Sequence, residues 1–165
     1  MLIRPNAPAD APAIWSILEP ILRAGEVFVL PRHMGAAEAI AHWCGPDRET
    51  FVAEEDGRIL GTYYIRANQA GGGNHVANAG YATAQDAGGR GIARAMCEES
   101  LVQARERGFR AMQFNFVVAT NARAVGLWES CGFATVGRLP GAFQHPTLGF
   151  VDALVMFRTL QEISR

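Results

Sequence analysis

The stretch "TAQDAGGRGIARAM", residues 83 to 96, constrains the fold of this chain more than any other. His75 to Thr83 before it reads as a strand rich in Ala and Gly. The helix predicted after it runs from Gly91 to Arg107, with Ala93, Cys97, Leu101 and Ala104 on one face and Gly108 as its C′ residue. Successive glycines between a strand and a helix let backbone N–H groups turn into one concavity, where the helix N-terminus adds partial positive charge. Arg90 adds a cation, and the combination suits a phosphate. A P-loop needs Gly-Lys-Ser/Thr, which is absent. A dinucleotide fingerprint would place a third glycine at position 94, which is Arg94. A flexible connection without a ligand remains open on these residues alone.

The rest of the chain supplies strands and helices in alternation. Leu2 to Arg4 reads as a short strand. Asp10 is a helix N-cap with Pro12 in the first turn, and Ile14, Ile17, Leu18, Ile21 and Leu22 follow at helical spacing, with Pro20 expected to kink or end that helix. A second helix covers Ala36 to Trp43, stopped by Gly45-Pro46. Between the two, "RAGEVFVLPRHM" is too irregular for an element and apolar for a plain loop. Thr50 to Glu54 and Arg58 to Arg66 form a hairpin about Asp56-Gly57. Ala111 to Val118 alternates as a strand, with Met112, Phe114, Phe116 and Val118 on one face and Gln113, Asn115 and Val117 on the other. Asn121 opens a short helix that Gly132 ends. Phe133 to Gly137 and Phe150 to Phe157 are the last strands, joined by "RLPGAFQHPTLG". There is no internal repeat and no linker, so a single α+β domain over residues 1–165 is expected.

The 165 residues are 49% hydrophobic, enough for a substantial core. A net charge of −1 gives no support for a broad nucleic-acid or anionic-membrane surface. The three cysteines, Cys44, Cys97 and Cys131, have neither zinc-ligand spacing nor the even count of a disulfide framework. His33, His42 and His145 form no metal spacing, and no metal is expected. Without an apolar leader or a long apolar run, a soluble cytoplasmic protein is expected.

Asn115 is conspicuous because it interrupts a run of Phe, Val and Met. A buried amide without partners costs about 1–3 kcal/mol, so either the protein or a ligand must satisfy it. Asn78 occupies the preceding strand and Asn121 the next helix start. As plain structure, Asn78 and Asn115 would bond across the sheet and Asn121 would cap its helix. As function, three amides would converge on a substrate, each offering donors and an acceptor without charge. His75 should face away from Asn78. Cys131, Trp15 and Trp43 read as core, and Glu26 as a loop carboxylate able to meet a substrate amine.

The spacing Gly-x-x-Gly-x-Ala over Gly88 to Ala93 resembles the coenzyme A pyrophosphate loop of the GNAT (Gcn5-related) N-acetyltransferases. The opening "LIRPNAPADAPAI", the hairpin, "NAGYAT" and "NARAVGLWESCGF" extend that resemblance, in family order, over nearly the whole chain. It implies the acyl-CoA N-acyltransferase fold: a mixed, mostly antiparallel sheet flanked by helices, its two central strands splayed so that pantetheine adds along the open edge of the first. The implied acetyl-CoA ligands are Ala82, Thr83, Gly88, Gly89, Arg90, Gly91, Ile92, Ala93, Asn121 and Trp128. The chain departs from the family pattern at Gly88, where Arg or Gln is usual, and Arg90 is expected to compensate. It departs again at Trp128, where many members carry a Tyr that protonates the departing thiolate.

The longer pattern "HVANAGY…FNFVVATN…LWESCGF…VGRLPGAF" resembles the azetidine-2-carboxylate (proline-analogue) N-acetyltransferase branch. That resemblance implies Asn115 and Asn121 as catalytic residues and Asn78 and Asn115 as substrate contacts, to which the residues themselves add Glu26 as a candidate contact for the amine. It also implies a detoxifying transfer of acetyl from acetyl-CoA to a small amine, such as an amino acid or an amino-acid-like toxin, by direct attack. Peptide acetylation and a non-catalytic CoA sensor are the competing functions, and a homodimer is compatible with any of them. Tyr63, Tyr64 and Tyr81 are the remaining candidates for a proton donor.

Overall fold

A computed structural model describes residues 1–161; residues 162–165 of the expected domain lie outside the described residues. The elements run β1 (Leu2–Pro5), α1 (Ala11–Ala24), α2 (Ala36–Trp43), β2 (Arg48–Glu55), β3 (Arg58–Ala67), β4 (Val76–Thr83), α3 (Ile92–Glu106), β5 (Ala111–Val118), α4 (Ala122–Ser130), β6 (Ala134–His145) and β7 (Gly149–Thr159). One seven-stranded sheet has the order β1-β2-β3-β4-β5-β7-β6. Every pairing is antiparallel except β4 with β5, which the α3 crossover makes parallel.

Adjacent residues of β3 assign the helices to the two faces. The indole N–H of Trp43 donates to the Thr62 hydroxyl at 3.0 Å, placing α2 on the Thr62 face, and α1 packs with it. A Cβ on Gly61 would lie 2.8 Å from the Met96 methyl, placing α3 on the opposite face. Trp128 of α4 joins α3 there, its ring centroid 4.9 Å from that of Tyr81 and 5.1 Å from that of Phe114. Trp43, as expected, is core. Trp15 is only half-buried, with the Arg23 guanidinium over its ring.

Four expectations need correction. The first helix does not end at Pro20: α1 runs on to a left-handed Gly25, because the missing N–H at Pro20 affects a single bond while Leu18 and Leu22 bury on either side of it. Asp10 holds the expected N-cap position of α1, but its side chain does not cap that helix. It accepts the Ala7 N–H at 2.6 Å and the Arg4 guanidinium at 2.8 and 3.0 Å, closing the short 3-10 turn that precedes α1. Most of the expected connector "RLPGAFQHPTLG" is strand, with β6 continuing to His145 through two register shifts against β7. The alternation of β5 also breaks. Asn115 and Phe116 together oppose Val155, so this bulge puts Val117 on the face of Phe114 and turns Phe116 toward Phe143.

Candidate functional site: the fork between two central strands

β4 and β5 are paired at Val76–Ala111 and Ala77–Met112 and at no later residue. From Asn78 onward the strands part, leaving the β5-facing edge of β4 without a ladder partner as far as Thr83. Backbone polar groups on such an edge need partners from elsewhere, and an extended ligand supplies them as an added strand would.

Two cavities meet at this fork. The larger, about 670 Å³, lies between the loop before α3 and the near side of α4; Thr83, Gly88, Gly89, Gly91, Ile92, Ala93, Arg94, Asn121, Arg123, Trp128 and Ser130 are among its lining. The smaller, about 210 Å³, is lined by Ile21, Val27 and Phe28 from the α1 side, by Ala79 to Thr83 of β4, and by Phe114, Phe116, Val117 and Val118 of β5. Tyr81, Thr83, Asn121, Ala124 and Trp128 line both, so the two adjoin at the parted strands.

The glycine turn has left-handed backbone at two positions. Gly89 and Gly91 hold φ of 77° and 76°, a left-handed conformation that side chains strain to adopt, and added Cβ atoms at either would meet open space. Gly91 is also the N-cap of α3. Gly88 differs, with φ −63° and ψ 146°, a backbone open to any residue.

Of the expected cofactor ligands, Thr83, Gly88, Gly89, Gly91, Ile92, Ala93, Asn121 and Trp128 line the larger cavity, and Ala82 lines the smaller. Arg90 lines neither; it is exposed and ion-paired to Glu55. The basic side chains in the lining are Arg94 and Arg123. Sequence reading passed over both, and the signal for Arg123 was its position two residues after Asn121, at the mouth of the loop.

The asparagines divide. Asn121 caps α4 through its Oδ1, 3.3 Å from the Ala124 nitrogen, and also lines both cavities. Asn78 and Asn115 line neither. Asn78 is buried; its amide donates to the Gln113 carbonyl at 3.0 Å and accepts from Arg66 Nε at 3.3 Å. Asn115 donates to Asn68 Oδ1 at 2.6 Å and accepts from the Gln113 side chain at 2.9 Å. The partners of these two amides are therefore protein groups at the root of the fork. Glu26 and His75 are exposed, and Glu26 is outside both linings although its neighbours Val27 and Phe28 are inside.

The tyrosines leave no obvious acid in the site. The Ser100 hydroxyl donates to the Cys97 carbonyl at 2.7 Å, so Tyr81 donates its own hydroxyl inward to Ser100 at 2.6 Å, and burial holds its pKa well above 10. The Tyr63 hydroxyl is buried on the same face without a partner among the described residues, and burial raises its pKa too. Tyr64 lies on the other face, its ring beside Gly80 where a Cβ would come within 2.7 Å. Cys97 and Cys131 are buried free thiols, and burial raises the pKa of Cys97. Among the described residues no three metal-ligating side chains cluster, and no helix is long and apolar enough to cross a membrane.

Residues 13–133 match the model of the acetyltransferase (GNAT) family. The chain belongs to that family. Members of the GNAT family use acetyl-CoA. A GCN5-related N-acetyltransferase from Kribbella flavida superposes with a TM-score of 0.91 at 41% identity, over 96% of each chain. The yncA structure from Salmonella typhimurium, solved with its cofactor acetyl-CoA, shares the fold with a TM-score of 0.83 at 20% identity, over 100% of this chain and 96% of that one. N-acetyltransferase aca1 of Schizosaccharomyces pombe is 32% identical over 113 residues, which are 67% of this chain and 53% of that protein. This chain thus matches about half the length of that curated relative.

Proposed function

We propose that residues 1–165 act as an acetyl-CoA-dependent N-acetyltransferase that transfers acetyl to the amine of a small substrate, an amino acid or amino-acid-like toxin, by direct attack on the thioester. The observation that carries this proposal is the meeting of the two cavities at the fork. The larger suits a long phosphate-bearing cofactor entering over the glycine turn. The smaller, at about 210 Å³, is below the roughly 300–1,000 Å³ of drug-sized pockets and suits a compact acceptor better than a peptide. Cofactor and acceptor would reach the open edge of β4 from opposite faces, as direct transfer requires.

The β4 edge near Ala82 and Thr83 would orient the thioester, with a strand N–H polarising its carbonyl. Asn121 lines both cavities, which supports a role for it beside the reacting atoms. Asn78 and Asn115 hold the strands at the angle that leaves room for both reactants. The acceptor must attack as the neutral amine. A thiol of pKa about 8.5 is a tolerable leaving group without a side-chain acid, which accommodates Trp128.

The test is thiol release from acetyl-CoA with a panel of small amines, cyclic and linear amino acids, and peptides. Turnover is expected with small amines and not with peptides. Turnover with peptides alone would overturn the substrate class, and acetyl-CoA binding without turnover on any amine would make the chain a CoA sensor.

A further inference from the structure

The turn before α3 is short of usable positive charge on its own side of the larger cavity. Arg90 is turned away to Glu55. Gly88 heads the turn with a backbone that any residue could adopt and no side chain to offer. The space beside it is nevertheless occupied. A Cβ at Gly88 would lie 3.9 Å from Arg123 Nη1 and 4.0 Å from Nη2. Arg123 belongs to the first turn of α4, so its guanidinium reaches the glycine turn from the opposite wall of the cavity. It is exposed, and it has no hydrogen-bond or carboxylate partner among the described residues, whereas Arg94 of the same lining is held by the Ser130 hydroxyl at 2.7 Å. A guanidinium left without an acid partner, beside left-handed glycines at a helix N-terminus, matches a bidentate anion of two or more charges.

We infer that Arg123 is the cation of the diphosphate site. It closes over the turn from α4 and does there what a long polar side chain at position 88 would do from the loop. The bare Gly88 and the unpartnered Arg123 are then two halves of one arrangement, in which the charge has moved across the cavity. This rests on the cofactor half of the function proposed above and is independent of which amine is the acceptor. Because α4 also carries Trp128 and begins at Asn121, the same contact would draw the reactive end of the cavity into register with the phosphate end.

Calorimetry tests it with acetyl-CoA, 3′-dephospho-CoA and acetylpantetheine, which lacks the diphosphate. The proteins compared are wild type, Arg123→Met, Gly88→Arg and the double variant, each checked by circular dichroism. Arg123→Met is expected to weaken acetyl-CoA and 3′-dephospho-CoA alike, by tenfold or more, and to leave acetylpantetheine unchanged. Gly88→Arg alone sets two guanidinium groups side by side and should bind no better than wild type. In the double variant the same substitution should return affinity to within about threefold of wild type, because the vacated space accepts a cation from the other side. Unchanged binding by Arg123→Met would overturn the inference. So would a loss confined to ligands bearing the 3′-phosphate, or a double variant as weak as Arg123→Met. Wild-type protein that binds none of the three ligands would refute the cofactor reading itself, and this inference with it.

Discussion

The Asn78 side chain donates to the Gln113 carbonyl at 3.0 Å, one residue beyond the last ladder pair, Ala77–Met112. The amide thus takes over a β5 carbonyl just where the β4 backbone stops reaching it, and Arg66 holds the amide oxygen at 3.3 Å. The parallel ladder ends on a side-chain bond instead of fraying, and the strands part at a fixed place. Replacing Asn78 by Leu keeps the approximate size and strands both groups. A cost of about 1–3 kcal/mol is expected, read as a fall in melting temperature of several degrees by calorimetry. An unchanged melting temperature would mean that water takes over both bonds.

Asn115 sits one step further along the fork, tied to Asn68 and Gln113 in the bulged part of β5. It lines neither cavity, so its effect on the reaction must pass through the angle between the strands. Asn115→Ala is expected to lower thermal stability and to reduce kcat by at least about tenfold, equivalent to 1.4 kcal/mol, while KM for acetyl-CoA stays near the wild-type value because the glycine turn is untouched. A folded variant with normal kcat would limit Asn115 to packing.

The two asparagines also mark how far a sequence can be read. The residue type signalled that a partner was needed, and the strand assignments placed Asn78 and Asn115 on neighbouring strands. The identity of the partners depended on register and on the bulge at Asn115 and Phe116, which no alternation pattern contains. The glycine turn was legible because Gly89 and Gly91 are needed locally for their positive φ. Arg123 was not, because its significance is a distance across a cavity between residues that are remote in sequence. Pro20 and the long β6 were misread for a related reason: burial of α1 and pairing with β7 outweighed local propensity.

At Gly89 charge can be separated from backbone strain. The position has φ 77° and open space around a would-be Cβ. Asn and Asp both tolerate left-handed backbone better than other side chains, and they differ by a charge at nearly constant shape. Gly89→Asp is expected to bind acetyl-CoA at least tenfold more weakly than Gly89→Asn, a difference of about 1.4 kcal/mol. Equal affinities by calorimetry would remove the diphosphate from this turn.

The Arg4–Asp10 pair makes acid stability testable. Hydrogen bonds from the Arg4 guanidinium, followed by that from the Ala7 N–H, hold the Asp10 carboxyl below its ordinary value of 3.8, against the opposing effect of burial. A carboxylate whose pKa is lower folded than unfolded binds its proton more readily when unfolded. Its stabilisation is therefore complete above the unfolded pKa and is lost as pH falls through the folded one. Asp10→Asn is expected to lower the melting temperature at pH 7 and to flatten the decline of stability below about pH 4. Parallel stability curves for the two proteins across the acid range would assign the decline to other carboxylates.

Trp128 fixes the expected pH dependence of turnover. Its ring packs on Tyr81 and Phe114 and lines both cavities, and an indole cannot donate a proton to the thiolate near neutral pH. Tyr81 cannot take over, since its hydroxyl is bonded inward to Ser100 and burial keeps it protonated well above 10. Tyr63 is excluded by its position, since it is buried and lines neither cavity, and burial raises its pKa. With Trp128, Tyr81 and Tyr63 all unable to serve as the acid, kcat/KM should follow the neutral fraction of the acceptor amine. It should rise with pH to a plateau at the amine's own pKa and show no descending limb up to about pH 9.5. Trp128→Tyr would place a phenol of ordinary pKa about 10 in that position, and a falling limb near that pH is expected to appear only in the variant. A bell-shaped profile in the wild-type protein, with its falling limb below pH 9, would reveal an acid in the site and direct the search to Tyr64, the tyrosine on the acceptor face beside Gly80.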